Sequence, residues 1–205
     1  MPNTPLLIAF DGPAASGKGT LASVIAADYG LPFLDTGLLY RAAGHLAHIR
    51  NIDPVLAASL IDAETLADEA LRGRDAGERA SQVAAIPEVR AALFKYQQDF
   101  VSQPSGAVLD GRDIGTVIMP QAQVKLFVTA APEVRARRRW LQLVKLNPSL
   151  TEAEVLEDIR IRDERDSSRS SAPLEKAADA LLLDTSDLGI DAAIATARSL
   201  VKSRL

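Results

Sequence analysis

Apolar residues arrive along this chain in short, largely unbroken bursts, each closed by a polar or glycine-containing cluster. Leu6–Phe10 is the first burst, and the form returns at Leu31–Asp35, Ala107–Asp110, Val124–Val128 and Ala180–Leu183. Four or five apolar residues without alternation read as strands covered on both faces. Between the bursts the period changes to three and four. Leu21, Val24, Ile25 and Tyr29 mark a first helix, and a second follows Thr36-Gly37 through Tyr40, Arg41 and Leu46. Leu56, Leu60 and Ile61, with acids between, predict an amphipathic helix over Pro54–Leu71, interrupted by a loop at Arg72–Gly77. Helical character resumes over Glu78–Ala85. Pro87 suits a first helical turn, and Val89, Leu93, Tyr96 and Phe100 form the buried stripe of a long helix stopped by Pro104-Ser105-Gly106. The strands at Asp110 and Val124 are separated by a short connection. Pro132–Leu146 and Thr151 to about Arg169 read as two charged helices joined near Asn147-Pro148-Ser149, with Thr151 and Glu154 at capping-box spacing. Ile190–Leu205 predicts a closing helix.

Strands alternating with helices predict an α/β fold, a parallel sheet covered by helices on both faces, with ligands at the carboxyl ends of the strands. The polar clusters fall there. Gly12–Thr20, Asp35-Thr36, Asp110–Asp113 and Asp184-Thr185 each follow an apolar run directly. At 205 residues the chain fits one domain.

The first cluster is Gly12-Pro13-Ala14-Ala15-Ser16-Gly17-Lys18-Gly19-Thr20, at full GxxxxGK spacing after a strand and before a helix. Glycines let the backbone wrap with its N–H groups inward, the helix N-terminus adds positive potential, and Lys18 reaches the outer phosphates of a nucleoside triphosphate. The chain is therefore expected to have a P-loop NTPase-type sheet. Gly19 stands where a Ser or Thr usually offers its hydroxyl to Mg²⁺, and the hydroxyl comes at Thr20 instead. Asp110, closing a buried strand, is the candidate to hold Mg²⁺ directly or through water.

Composition removes several classes of chemistry. The chain has no cysteine, which excludes thiol catalysis and thiolate metal sites, and His45 and His48 are its only histidines and receive no role. A net charge of −4 argues against a nucleic-acid partner held by broad electrostatic attraction. No run approaches the ~20 apolar residues of a membrane helix, and Met1–Phe10 lacks a basic signal-like segment. The expectation is a cytoplasmic protein with no membrane association.

The arginines are distributed unevenly. Arg135, Arg137, Arg138 and Arg139 share one predicted helix, and Arg160, Arg162, Arg165 and Arg169 the next. A solvated face is the alternative for Arg135 and Arg160. Arg162, Arg165, Asp166 and Arg169 fall within about one third of a helix circumference. Three like charges on one face repel unless an anion joins them, and guanidinium groups bind phosphate bidentately. Arg41 and Arg112, each after a strand end, supply a second anion site. This is more phosphate-binding capacity than one triphosphate needs, so the acceptor is expected to carry phosphate too. A monophosphate with a second pKa near ~6 is already ionised at neutral pH and needs no strong base. Another small acceptor, such as UMP, AMP or a metabolite hydroxyl, is the alternative, and a hydroxyl would recruit a base, with Asp35 or Asp113 available. A nucleotide-dependent switch is the alternative from another class, and the guanine-specifying Asn-Lys-x-Asp stretch is absent.

Taken in order, Gly12–Thr20, Leu34-Asp35-Thr36-Gly37 with Tyr40-Arg41, Ala80-Ser81-Gln82-Val83-Ala84, Pro87-Glu88-Val89-Arg90, Asp110-Gly111-Arg112-Asp113-Ile114-Gly115 and Arg162–Arg169 resemble the bacterial cytidylate kinases over nearly the whole chain. The resemblance implies phosphoryl transfer from ATP, with Mg²⁺, to CMP or dCMP. It puts Ser81, Arg90 and Asp113 on cytosine, and Thr36, Arg41 and Arg112 near the acceptor phosphate. Arg162, Asp166 and Arg169 fall near its phosphate and sugar, and Lys18, Arg138, Arg139, Arg162 and Arg165 serve catalysis, with Arg138, Arg139 and Arg165 as candidates for the lid. Thr36 replaces the serine usual there. A helical acceptor-binding segment over about 40–101 and a lid with flanking helices over about 135–169 follow. The segment between Tyr40 and Ser81 is shorter than the family commonly carries. ATP, CMP and dCMP are then the partners of a monomer.

Overall fold

The computed structural model describes residues 5–205. At its centre lies β1 (Leu6–Asp11), paired in parallel with β3 (Gly106–Gly111) on one side and β4 (Val124–Thr129) on the other. β2 (Phe33–Asp35) and β5 (Leu181–Asp184) complete a five-stranded parallel sheet in the order β2-β3-β1-β4-β5. β1 is apolar without alternation because both its faces are covered. Leu7 and Ala9 join Leu34, Leu39, Val89 and Leu109 on one side of the sheet. Ile8 and Phe10 join Leu21, Ile25, Val108 and Leu126 on the other.

Each strand delivers its chain to a helix. α1 (Lys18–Tyr29) follows β1, and Gly30 in the left-handed conformation closes it. α2 (Thr36–Arg50) starts directly on β2, with the Asp35 carboxylate accepting from Leu38 N–H at 3.2 Å. α6 (Pro87–Val101) leads to β3, and a π-helical turn (Ile114–Ile118) fills the connection to β4 that the sequence reading leaves as a plain link. α7 (Pro132–Leu143) and α8 (Glu152–Ser168) pack on each other through Ala136, Leu143, Leu150, Val155 and Ile159. α8 opens on a complete Thr151–Glu154 capping box. α9 (Ile190–Lys202) closes the second face.

Two expectations are corrected. Pro54–Leu71 is not one helix but α3 (Pro54–Ser59), α4 (Ala63–Ala67) and a 3₁₀ turn (Glu69–Arg72). The acids read as a polar face are caps: Asp53 accepts from Val55 and Leu56 N–H, Asp62 from Thr65 N–H and Asp68 from Ala70 N–H, so each restarts the chain. Arg72–Gly77 is not a loop. Only Gly73 stays extended, and α5 runs over Arg74–Val83. It lies so close to α2 that a Cβ at Gly44 would sit 2.9 Å from that of Arg79.

Candidate active site

β1 ends in a backbone that only particular residues tolerate. Gly12 has φ +146, and a Cβ there would fall 1.9 Å from the Val128 carbonyl oxygen of β4; Gly17 has φ +90 immediately before α1. The loop is thereby pressed against the sheet. Its far side is fixed by neighbours: Thr185 Oγ1 donates to the Ser16 carbonyl at 3.1 Å and Arg135 Nη1 to the Ala14 carbonyl at 3.2 Å.

Lys18, first residue of α1, is buried, with Nζ 3.3 Å from the Pro13 carbonyl and 3.7 Å from Asp110 Oδ1. Burial, and then repulsion from Arg112, lowers its pKa to about 8 against the attraction of Asp110. Burial likewise raises Asp110 to about 6, opposed by Lys18. Asp110 Oδ1 and Ser16 Oγ are buried without a hydrogen-bond partner. A Cβ at Gly19 would lie 2.9 Å from Asp110 Oδ2, so the carboxylate occupies the space of the side chain that this position lacks. Thr20 is exposed. A hard, oxygen-seeking cation fits such a setting if phosphate and water supply its other ligands, as Mg²⁺ prefers. Among the described residues, no cluster of three or more His, Cys, Asp or Glu could hold a metal by itself.

Beside Lys18 a cavity of about 470 Å³ is lined by Ala14, Asp35, Arg41, Asp110, Arg139 and Arg162. Next to it, sharing Arg112 and Arg162, is a recess of about 30 Å³ that includes Thr36, Ser81, Arg90, Asp113, Asp166 and Arg169 in its walls. All nine residues expected on the acceptor line one of these two spaces. Thr36 Oγ1 donates to the Asp110 carbonyl at 2.8 Å, and Arg41 Nη2 to Asp35 Oδ2 at 2.6 Å. Asp166 receives Arg112 Nε at 3.0 Å, lies 3.7 Å from Arg162 Nε, and takes the Ser81 hydroxyl at 3.5 Å. Burial would raise its pKa, but Arg112, Arg162 and Arg169 outweigh burial and hold it low. Asp113 pairs with Arg90, which in turn lies 5.6 Å over the Tyr40 ring, and Arg169 Nη2 stands 3.9 Å from the second oxygen. Burial nonetheless raises Asp113. Donors remain: Arg41 Nε, Arg162 Nε and Arg169 Nη2 are buried without hydrogen-bond partners. Burial first, then Arg112, lowers Arg162 to about 10.

The expected lid arginines separate into different settings. Arg139 lines the larger cavity and donates to the Gly73 carbonyl at 3.1 Å. Arg165 meets Glu78 of α5 at 3.0 Å, with Nη1 buried and unpartnered. Arg138 instead reaches Thr185 Oγ1 at 2.9 Å, the Thr185 carbonyl at 2.7 Å and the P-loop carbonyl of Ser16 at 3.5 Å. Arg160 is a solvated-face residue paired with Glu133, whereas Arg135 is buried against Asp163 at 2.6 Å. Spacing singles out neither Arg74, bidentate to Asp158 of α8 at 2.6 and 2.8 Å, nor Asp11. Asp11 is a buried acid whose pKa burial raises to about 7 against hydrogen bonds from Gly115 and Ile114. Its one signal in the sequence is a carboxylate ending an otherwise apolar strand.

A parallel sheet whose central strand runs into this cradle, with phosphate-sized cationic space at the strand ends, defines a P-loop phosphotransferase. A family model described as cytidylate kinase matches residues 8–203. The cytidylate kinase of Xanthobacter autotrophicus is 57% identical over 204 residues, covering 97% of this chain and 98% of the relative. That of Cereibacter sphaeroides is 54% identical over 197 residues, covering 96% and 95%. The chain belongs to the cytidylate kinase family and is a nucleoside monophosphate kinase. A crystal structure of an uncharacterized protein from Eubacterium ventriosum shares the fold, with a TM-score of 0.57 at 13% identity, over 98% of this chain and 100% of that one. Such coverage of the Xanthobacter relative leaves room for few inserted residues, so the short segment between Tyr40 and Ser81 is no loss relative to that enzyme.

Proposed function

We propose that this enzyme transfers the γ-phosphoryl group of MgATP to CMP and dCMP. The observation that carries this reading is the set of unpartnered guanidinium N–H groups of Arg41 and Arg162 around the cavity beside Lys18 and of Arg169 in the adjoining recess. Buried donors without partners are costly, and a phosphate with its many acceptor oxygens is the group that satisfies several at once.

The amides of Gly12–Thr20 and Lys18 would hold the donor phosphates, and Asp110 would hold Mg²⁺, which neutralises phosphate charge when bound. Arg41, Arg112 and Thr36 would fix the acceptor phosphate, and Arg162 with Arg139 and Arg165 would stabilise charge on the transferring group. Arg138, engaged with the Ser16 and Thr185 carbonyls, would tie the cradle to the chain after β5. No side chain has to remove a proton, because an ionised acceptor phosphate is itself the nucleophile. Asp35, bonded to Leu38 N–H and Arg41, is committed to holding α2 and that arginine. Helices α2–α6 form the acceptor-binding segment and α7–α8 the lid.

Cytosine offers an amine donor beside a ring-nitrogen acceptor and a carbonyl. Asp113 would accept from the amine, while Arg90 and Ser81 would donate to the other two; uracil reverses the first two groups. Asp166 and Arg169, with Arg162, would receive the acceptor's phosphate and sugar. The deciding experiment is ADP formation from MgATP with CMP, dCMP, UMP and AMP, for the wild type and Asp113→Ala. CMP and dCMP are expected to dominate, and the variant to lose that preference. Equal use of UMP or AMP by the wild type would overturn the substrate assignment.

A further inference from the structure

Asp113 stands at the N-cap of the Ile114–Ile118 turn, the position where an aspartate ordinarily folds its carboxylate onto the N–H groups of its own helix. It makes no such bond. Its two oxygens face Arg90 and Arg169. The orphan N–H groups are served from another strand: Ile114 N–H donates to Asp11 Oδ1 at 2.8 Å and Gly115 N–H to Asp11 Oδ2 at 2.7 Å. Asp11 ends β1, in register with Gly111 of β3, and 5% of it is exposed. Gly115 is tight here, since a Cβ there would lie 3.3 Å from Asp11 Oδ2 and 3.0 Å from Lys125 Cδ.

From this exchange of caps we infer that Asp11 is a positioning residue for base selection: by capping the turn in place of Asp113, it leaves the Asp113 carboxylate turned toward the acceptor base. The inference rests on the base-reading assignment proposed for Asp113. Without Asp11 two buried N–H groups lose their acceptor, and the nearest substitute is the carboxylate of Asp113, one residue away in the chain. Asp113 would then cap its own turn, Arg90 would lose its partner, and the pattern presented to cytosine would be gone. A carboxylate suits the role better than an amide, because both of its oxygens accept whereas an asparagine presents N–H to N–H at one of the two sites.

The test is a double-mutant cycle of Asp11→Asn and Asp113→Ala, read as kcat/KM for CMP and UMP, KM for ATP and melting temperature. Asp11→Asn is expected to reduce the CMP-over-UMP ratio roughly ten-fold, the scale of one charged hydrogen bond, while KM for ATP stays within about two-fold, the scale of ordinary context effects. In the Asp113→Ala background the same change is expected to move the ratio no further. An unchanged ratio in Asp11→Asn beside a reduced ratio in Asp113→Ala overturns the inference and spares the base-reading assignment. A ratio unchanged in Asp113→Ala alone overturns both. A fall in melting temperature that leaves the ratio untouched, or a loss of ATP affinity in place of base selectivity, assigns Asp11 to the fold or to the cradle and also overturns it. If Asp11→Asn fails to fold, the smaller Asp11→Ser takes its place in the same cycle.

Discussion

Lys18 shows how one buried residue couples the cradle to pH. Its pKa near 8 means that the protein without nucleotide carries the proton below that pH and loses it above. A bound triphosphate favours the charged amine and draws the proton back. kcat/KM for MgATP is therefore expected to fall as pH rises from 7.5 to 9.5, approaching ten-fold per unit, while kcat changes little. Initial rates at saturating and limiting MgATP check this, and a flat kcat/KM would contradict it. Asp166 makes a second case. It is held ionised by Arg112, Arg162 and Arg169, so Asp166→Ala strands three cations and is expected to raise KM for CMP by ten-fold or more, leaving KM for ATP near its wild-type value. Residue types and spacing make most of this site legible: GxxxxGK, the Asp110–Asp113 cluster and the arginines of α8 all fall at strand ends. Asp11 and Arg74 escape because their partners, Ile114 and Gly115 in one case and Asp158 in the other, are remote in sequence.

At the scale of elements the significant contact is α5 against α8. Arg74–Asp158, Glu78–Arg165 and Ser81–Asp166 are three side-chain contacts, about one turn apart in succession along α5, joining the segment proposed to bind the acceptor to the proposed lid. The Arg74–Asp158 pair is about two-fifths exposed on both sides, so its stabilising effect is about 0.2–1 kcal/mol. Asp158→Ala is accordingly expected to raise KM for CMP by about 1.4- to five-fold, the kinetic equivalent of that energy, and raising salt in the wild type should reproduce part of the change; titration of KM against NaCl checks both. The helical period placed α1, α2 and α6 and the capping box placed α8, but the buried stripe of α6 runs through Val89, Leu93, Gln97 and Val101, and Tyr96, expected in it, is exposed. The period failed over 54–77, where Asp53, Asp62 and Asp68 look like a hydrophilic face until their carboxylates are seen bonding to the next N–H groups. A capping acid and a surface acid are the same letter, and geometry alone separates them.

The whole molecule depends on β1, which supplies both faces of the core and the start of the cradle. Phe10 is fully buried, and Phe10→Ala is expected to cost about 3–5 kcal/mol, measurable as a lower urea midpoint with unchanged m-value. Gly12→Ala would press a methyl group into the Val128 carbonyl and is expected to abolish nucleotide binding while destabilising the sheet. The sheet was legible from the start because buried parallel strands look alike wherever they occur. How its strand ends face one another was not, since that depends on the order β2-β3-β1-β4-β5.

The pairing of Arg90 with Asp113 carries a consequence for fidelity. Two of the three groups proposed to read the base are each other's partners, in a recess with room for about two water molecules. An incoming base therefore competes with a tethered rival inside the protein rather than with solvent. A correct base must replace the bond each group already has, and one that satisfies only Arg90 or only Asp113 leaves a buried charge stranded. Selectivity of this kind rejects poor matches by restoring the internal pair, and the cost is modest affinity even for the right nucleotide.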